Sequence, residues 1–302
     1  MGSGSWKTSD FVRYSTSTGK KVDAKGIVDV GGLSASDMFK ARTMTNELNP
    51  KGQIRECCET EEHPSTVPVI LALDVTGSMG QAALEVASKL HQIVSSVLNE
   101  IKDAEFLIMG LGDLAYDRCP IQASQFESDV RTAKNLDSIF FESGGGDNPW
   151  ESYTAAWYFG LHNTRLDCWK RGRRGVIITI GDEQINPKLE HRWLNDVLGC
   201  SEQADVGTAE LYADVKNRYD VYHIHVNHNV PSERRAASAF STFGAVIGED
   251  HVKMSTVDAL SDAIKYIIVN SATQDSDPVP VMDFMTDKEI EKVAESTDEI
   301  TW

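Results

Sequence analysis

The residues of this chain best suited to chemistry lie at 68–78, Pro68-Val69-Ile70-Leu71-Ala72-Leu73-Asp74-Val75-Thr76-Gly77-Ser78. An apolar run ends there in one carboxylate and two hydroxyls at i, i+2 and i+4. Oxygen donors of this kind suit a hard divalent cation such as Mg²⁺, with Ca²⁺ or Mn²⁺ sharing that chemistry, far better than zinc or copper. Two further loops offer partners. Gly144-Gly145-Gly146-Asp147 precedes an expected helix, and Gly181-Asp182 closes the apolar run Val176–Ile180. Their glycines let the backbone approach an ion closely. Each motif taken singly also reads as an ordinary helix cap at Thr76, Ser78 or Asp147.

Positioning these residues requires strands that end together. Val67–Asp74 reads as a strand apolar on both faces, as parallel strands covered by helices are. Gln81–Asp103 reads as a helix, with Val86, Leu90, Ile93, Val94, Val97 and Ile101 on one face. Further strands are expected at Glu105–Gly112, Cys119–Ile121, Val176–Gly181, Tyr219–Val226 and weakly at His251–Met254. Helices are expected at Ser124–Asn135, Glu151–His162, Pro187–Leu198, Thr208–Arg218, Ser232–Phe243 and Val257–Val269. This alternation implies an α/β fold over about 67–270. Its doubly wound, mostly parallel central sheet would carry helices on both faces, a three-layer α/β/α arrangement. The three loops would then emerge at one carboxyl edge, where open α/β sheets bind ligands.

Residues 1–66 are polar and only weakly periodic, with a short strand expected at Ile27–Val30 and one helix at Ala35–Leu48. They are too poor in apolar residues for a core of their own, so an arm wrapping the core, partly extended or disordered, is expected. Residues 271–302 form an acidic tail. Its Thr286-Asp287-Lys288-Glu289 has capping-box spacing for a short helix to about Ala294, against the plainer reading of a solvated tail.

Taken in order, Asp74-Val75-Thr76-Gly77-Ser78, Asp147 and Asp182 resemble the metal-ion-dependent adhesion site (MIDAS) of the von Willebrand factor A (VWA) domain family. That family's pattern is Asp-x-Ser-x-Ser after the first strand, a Thr or Asp in a second loop and an Asp ending a later strand. The resemblance covers roughly 67–270. The wording Asp-Val-Thr-Gly-Ser-Met and Gly-Gly-Gly-Asp-x-Pro is most similar to intracellular members, including those linked to atypical alpha-kinases. It implies a Rossmann-like VWA fold and a non-enzymatic, metal-dependent protein–protein interaction module, an adaptor in an intracellular complex. It implies Mg²⁺ with Thr76 and Ser78 as direct ligands, Asp74 and Asp182 acting directly or through water, and an acidic residue of a protein partner completing the coordination. Asp147 departs from the neutral Thr of adhesion-type members. Three carboxylates around a +2 ion leave the site formally −1, which holds the metal and weakens its pull on a partner's carboxylate. A partly structural metal is therefore expected.

The bulk properties narrow the alternatives. The chain has 302 residues, with 29 basic against 46 acidic ones and a formal charge of −17. Such a surface repels phosphate backbones and anionic lipids, so neither nucleic acid nor membrane is an expected partner. Lys170, Arg171, Arg173 and Arg174 form the densest basic patch and read as a solvated loop. Five scattered cysteines form no zinc spacing, no secretory leader is apparent, and no apolar stretch reaches membrane-spanning length. A soluble, reduced, cytoplasmic protein is expected.

Weaker candidates are the His223, His225, His228 cluster, read as core or edge histidines before a metal set, and Asp113, Asp117 and Glu183 near the rim. Trp157 reads as core and Trp150 as core or contact residue. The alternative function is a Mg²⁺-dependent phosphoryl-transfer or hydrolase enzyme using Asp74. Aspartyl-phosphate phosphatases want a second Asp two positions on, where Thr76 stands, and no Gly-x-x-x-x-Gly-Lys loop occurs.

Overall fold

A computed structural model describes residues 4–23, 26–32, 34–142, 148–227 and 233–273. Asp147, His228 and the Thr286 helix lie outside the described residues. Six strands form the central sheet: β1 (Val67–Asp74), β2 (Ala104–Leu111), β3 (Ile121–Ala123), β4 (Gly175–Gly181), β5 (Tyr219–Asn227) and β6 (Val252–Thr256). Their order is β6-β5-β4-β1-β2-β3. Every neighbouring pair is parallel except β2–β3.

The continuous apolar run of β1 has a direct cause. Val69, Leu71 and Leu73 enter one core with Val86, Leu90 and Val94 of the helix Gly80–Leu98 and Ile264 and Ile268 of the helix Leu260–Thr273. Ile70 and Ala72 face the opposite core, with Trp157, Leu194, Leu211 and Phe243. Alternate residues point to opposite faces of a strand, so a strand covered on both sides must be apolar at every position. The result is a three-layer α/β/α fold. Each large side chain so buried contributes about 1.5–3 kcal/mol.

The winding sets the place of the site. From β1 the chain proceeds to β2 and β3 on one side, and from β4 it proceeds to β5 and β6 on the other. The order therefore reverses between the adjacent strands β1 and β4, and a crevice opens beyond their carboxyl ends.

Several elements differ from the sequence expectation, and in three of them pairing with a distant segment outcompetes helix. Residues 124–127 form no helix: Glu127 bridges Phe106, and the Ser124 hydroxyl accepts the Ile108 N–H at 2.9 Å, so the helix there is only Arg131–Asp137. Trp150–Glu151 pairs in parallel with Gln184–Ile185, delaying the next helix to Thr154–His162. Lys188–Leu189 pairs with Val206–Gly207, so the following helix starts at His191. The expected helix from Ala35 is a single turn, Ala35–Met38, left at Phe39 in an extended conformation. Ile27–Val30 makes no strand beyond a bridge from Val28 to Val22.

The N-terminal segment carries a helix, Thr8–Ser17, that the polar sequence did not suggest. Its Phe11 is 3 % exposed and joins the core on the Gly80–Leu98 side. Trp6 packs against Phe11 with its ring tilted, 5.7 Å between centroids, and donates from Nε1 to His91 Nδ1 at 3.1 Å. Farther along, Arg55–Cys57 pairs in parallel with Thr164–Leu166.

Candidate metal site

Strand β1 ends because Asp74 turns the chain with its own side chain. Asp74 Oδ1 accepts the Thr76 backbone N–H at 2.9 Å and the Thr76 hydroxyl at 2.6 Å. That closed turn is the local structure an Asp favours over continued strand. The chain then makes a 3₁₀ turn, Gly77–Met79, and enters the helix at Gly80. Ser78 is thereby carried across the crevice to the end of β4, where its hydroxyl donates to Asp182 Oδ1 at 3.0 Å. The Thr76 and Ser78 oxygens stand 3.4 Å apart. Asp74, Thr76, Ser78 and Asp182 are thus brought together.

Both hydroxyl protons are given to carboxylates, Thr76 to Asp74 and Ser78 to Asp182, so oxygen lone pairs remain for a cation. Asp74 is fully buried, and its three donors are all neutral: the Thr76 N–H, the Thr76 hydroxyl and the Tyr153 hydroxyl, which reaches Oδ2 at 2.7 Å. Burial, and then the neighbouring Asp182 charge, push the Asp74 carboxyl well above the usual carboxylate range. A carboxylate pair in that state fits a divalent cation, which would offset the charge the fold itself leaves uncompensated. Among the described residues no group of three or more His, Cys, Asp or Glu side chains is placed to hold a metal ion. The set on those residues is two carboxylates and two hydroxyls.

Around this set the crevice is acidic. Glu151 is buried with one carboxylate oxygen lacking a partner. Burial and the charges of Asp74, Asp117, Asp113 and Glu183 raise its pKa strongly. Asp117 is raised to about 6, chiefly by burial. Asp113 and Asp117 shape the loop after β2: Asp113 Oδ1 accepts the Ala115 N–H and Asp117 Oδ2 accepts the Asp113 N–H, both at 2.7 Å. Asp113 also accepts from the Asn148 side chain at 2.5 Å.

Sequence reading did not find Tyr153 and Glu151. Both follow the glycine-rich loop, and their position just after it is the one signal that could have pointed to them. Of the three candidate histidines, the two among the described residues, His223 and His225, are buried. His223 is fully buried, shares a hydrogen bond with the Thr179 hydroxyl at 2.9 Å, and stacks on Phe243 at 3.6 Å. Burial, then His225, holds it well below its ordinary pKa. Trp157 is fully buried and Trp150 half-buried. The basic patch braces the structure: Arg171 pairs with Glu59, Arg174 with Asp220 at 2.7 Å, and Arg173 donates to the Ala272 carbonyl at 2.9 Å. All five cysteines are free thiols. No helix among the described residues is long and apolar enough to cross a membrane.

No protein-family model and no curated protein sequence matches the chain. Among solved structures, it is similar to the open form of the pilus adhesin SpaC from Lactobacillus rhamnosus GG, at 14 % identity and TM-score 0.45 over 73 % of this chain and 31 % of the adhesin. It thus spans about a third of that adhesin's length. It is also similar to the vWF domain of the type V pili tip protein Mfa5 from Porphyromonas gingivalis, at 12 % identity and TM-score 0.43 over 73 % of this chain and 99 % of that domain. A third is proximal thread matrix protein 1 from the mussel byssus, with a zinc-occupied MIDAS motif, at 13 % identity and TM-score 0.43 over 68 % of this chain and 46 % of that one.

Proposed function

We propose that the chain is a divalent-cation-dependent protein-binding module of the von Willebrand factor A type, acting as an adaptor in an intracellular complex. Thr76, Ser78, Asp74 and Asp182 would hold Mg²⁺, and Asp147 would join them from its loop. The observation that carries this reading is the meeting of both hydroxyls and both carboxylates at the one place where the strand order reverses, with each hydroxyl proton turned toward a carboxylate. When bound, the cation would supply a positive centre for a partner's oxygen ligand. The chain's own residues do the rest. The Asp74 turn fixes Thr76, and the Ser78–Asp182 bond joins the first loop to the third.

The phosphoryl-transfer alternative is less well served. Asp74 is fully buried, and both its oxygens accept hydrogen bonds, so neither is presented as a nucleophile. Affinity purification of wild type beside Asp74→Ala/Ser78→Ala, each in Mg²⁺ and in chelator, tests the proposal. Proteins retained by wild type in Mg²⁺ and lost under the other three conditions support it. A partner set indifferent to metal and mutation overturns it, as would Mg²⁺-dependent phosphatase turnover abolished by Asp74→Asn.

A further inference from the structure

We infer that Tyr153 is a positioning residue that sets the choice of cation, favouring Mg²⁺ over Ca²⁺; the inference rests on the reading of these loops as a cation site. Tyr153 is fully buried. Its hydroxyl donates to Asp74 Oδ2 at 2.7 Å and accepts the Glu183 backbone N–H at 3.3 Å, so one oxygen ties the loop after β1 to the loop after β4. Space for it is built into the fold. A Cβ on Gly181 would lie 1.9 Å from that hydroxyl, so glycine at the end of β4 is what admits the phenol. The ring is held from behind by Phe243, at 5.6 Å between centroids, and edge-on by His223 at 5.2 Å.

The consequence concerns how Asp74 can meet an ion. Oδ1 is committed to the Thr76 N–H and hydroxyl, and Oδ2 to Tyr153. A carboxylate pinned at both oxygens cannot turn both toward one cation. Ca²⁺ sites use six to eight oxygens, often with a bidentate carboxylate, whereas Mg²⁺ keeps several waters and few carboxylates in a strict octahedron. Pinning Asp74 therefore selects for the smaller, water-retaining ion. Removing the phenol oxygen leaves Oδ1 on its two Thr76 donors but frees Oδ2 to move, and a loosened carboxylate disturbs the strict Mg²⁺ octahedron more than the variable Ca²⁺ shell.

Tyr153→Phe keeps the ring and removes only this bond. Gly181→Ala keeps the phenol but places a methyl where its oxygen sits. Calorimetric titration of chelator-stripped wild type and both variants, with Mg²⁺ alone and Ca²⁺ alone, is the test, circular dichroism confirming the fold. Mg²⁺ affinity should fall about 10–100-fold, the range seen when a group orienting a metal ligand is lost. Ca²⁺ affinity should fall less or rise, so that the Mg²⁺/Ca²⁺ ratio drops at least about tenfold. An unchanged ratio, whether both affinities hold or both fall together, overturns the inference while leaving the cation site standing. Wild type that binds neither ion overturns the cation site and this inference with it.

Discussion

Replacing Asp74 with Asn separates what this residue does for the fold from what it would do for a metal. Without metal, the change has two opposed effects. It removes a buried charge that lies beside Asp182, which stabilises the folded chain. It also turns an amide N–H₂ toward one of three donors, because Asn offers a single acceptor oxygen where Asp74 serves Thr76 on Oδ1 and Tyr153 on Oδ2. One lost buried hydrogen bond costs about 1–3 kcal/mol. The two effects are of similar size, so stability in chelator should change by less than about 2 kcal/mol. In Mg²⁺ the two proteins diverge. A ligand at 100 times its Kd stabilises the folded state by about 2.7 kcal/mol. For a domain of this size that is a Tm rise of about 5–10 °C. Wild type should show that rise and Asp74→Asn little of it, as read by thermal melts followed by circular dichroism across a Mg²⁺ series. Equal Mg²⁺-induced shifts in both proteins would refute the reasoning, and so would a wild type whose Tm ignores Mg²⁺.

Two further predictions concern the scaffold. Glu105 is fully buried at the start of β2, neither oxygen has a partner in hydrogen-bonding geometry, and burial raises its pKa from 4.5 to about 7, the Cys57 thiol offsetting only part of this. Because the folded state prefers the protonated acid, its contribution is fully present below about pH 4.5 and lost as pH rises through about 7. Glu105→Gln should therefore match wild type near pH 4 and exceed it by up to about 3 kcal/mol at pH 8 in chemical denaturation; a variant less stable than wild type at pH 8 would contradict the assignment. Phe11→Ala should lower stability by about 3–5 kcal/mol by emptying the contact that seats the helix Thr8–Ser17 on the core. A loss below about 1 kcal/mol would show that helix to be no part of the cooperative unit.

The interior of the fold was legible because burial on both faces writes itself into β1 and β4 as apolar runs, interrupted in β4 only by Thr179; the bounds Val67–Asp74 follow from sequence alone. The first and third loops were legible for the same reason, since their polar residues stand where those runs stop. Short elements were not. Arg55–Cys57 and Lys188–Leu189 are strands only because a distant segment supplies the hydrogen bonds, and no local pattern of two or three residues encodes that. The helix Thr8–Ser17 buries one large residue, Phe11, too little for a periodic signal. Tyr153 was missed for a different reason. It starts a helix whose apolar sequence reads as core throughout, and its one polar atom acquires meaning only when β1 and β4 are side by side.

The central claim is that Thr76 and Ser78 offer their oxygens to a divalent cation. Calorimetric titration of Mg²⁺ into chelator-stripped wild type beside Thr76→Ala/Ser78→Ala tests it most directly. The account predicts a one-site isotherm for wild type and none for a folded double variant. A flat titration of folded wild type, or an unchanged isotherm in the variant, would contradict it.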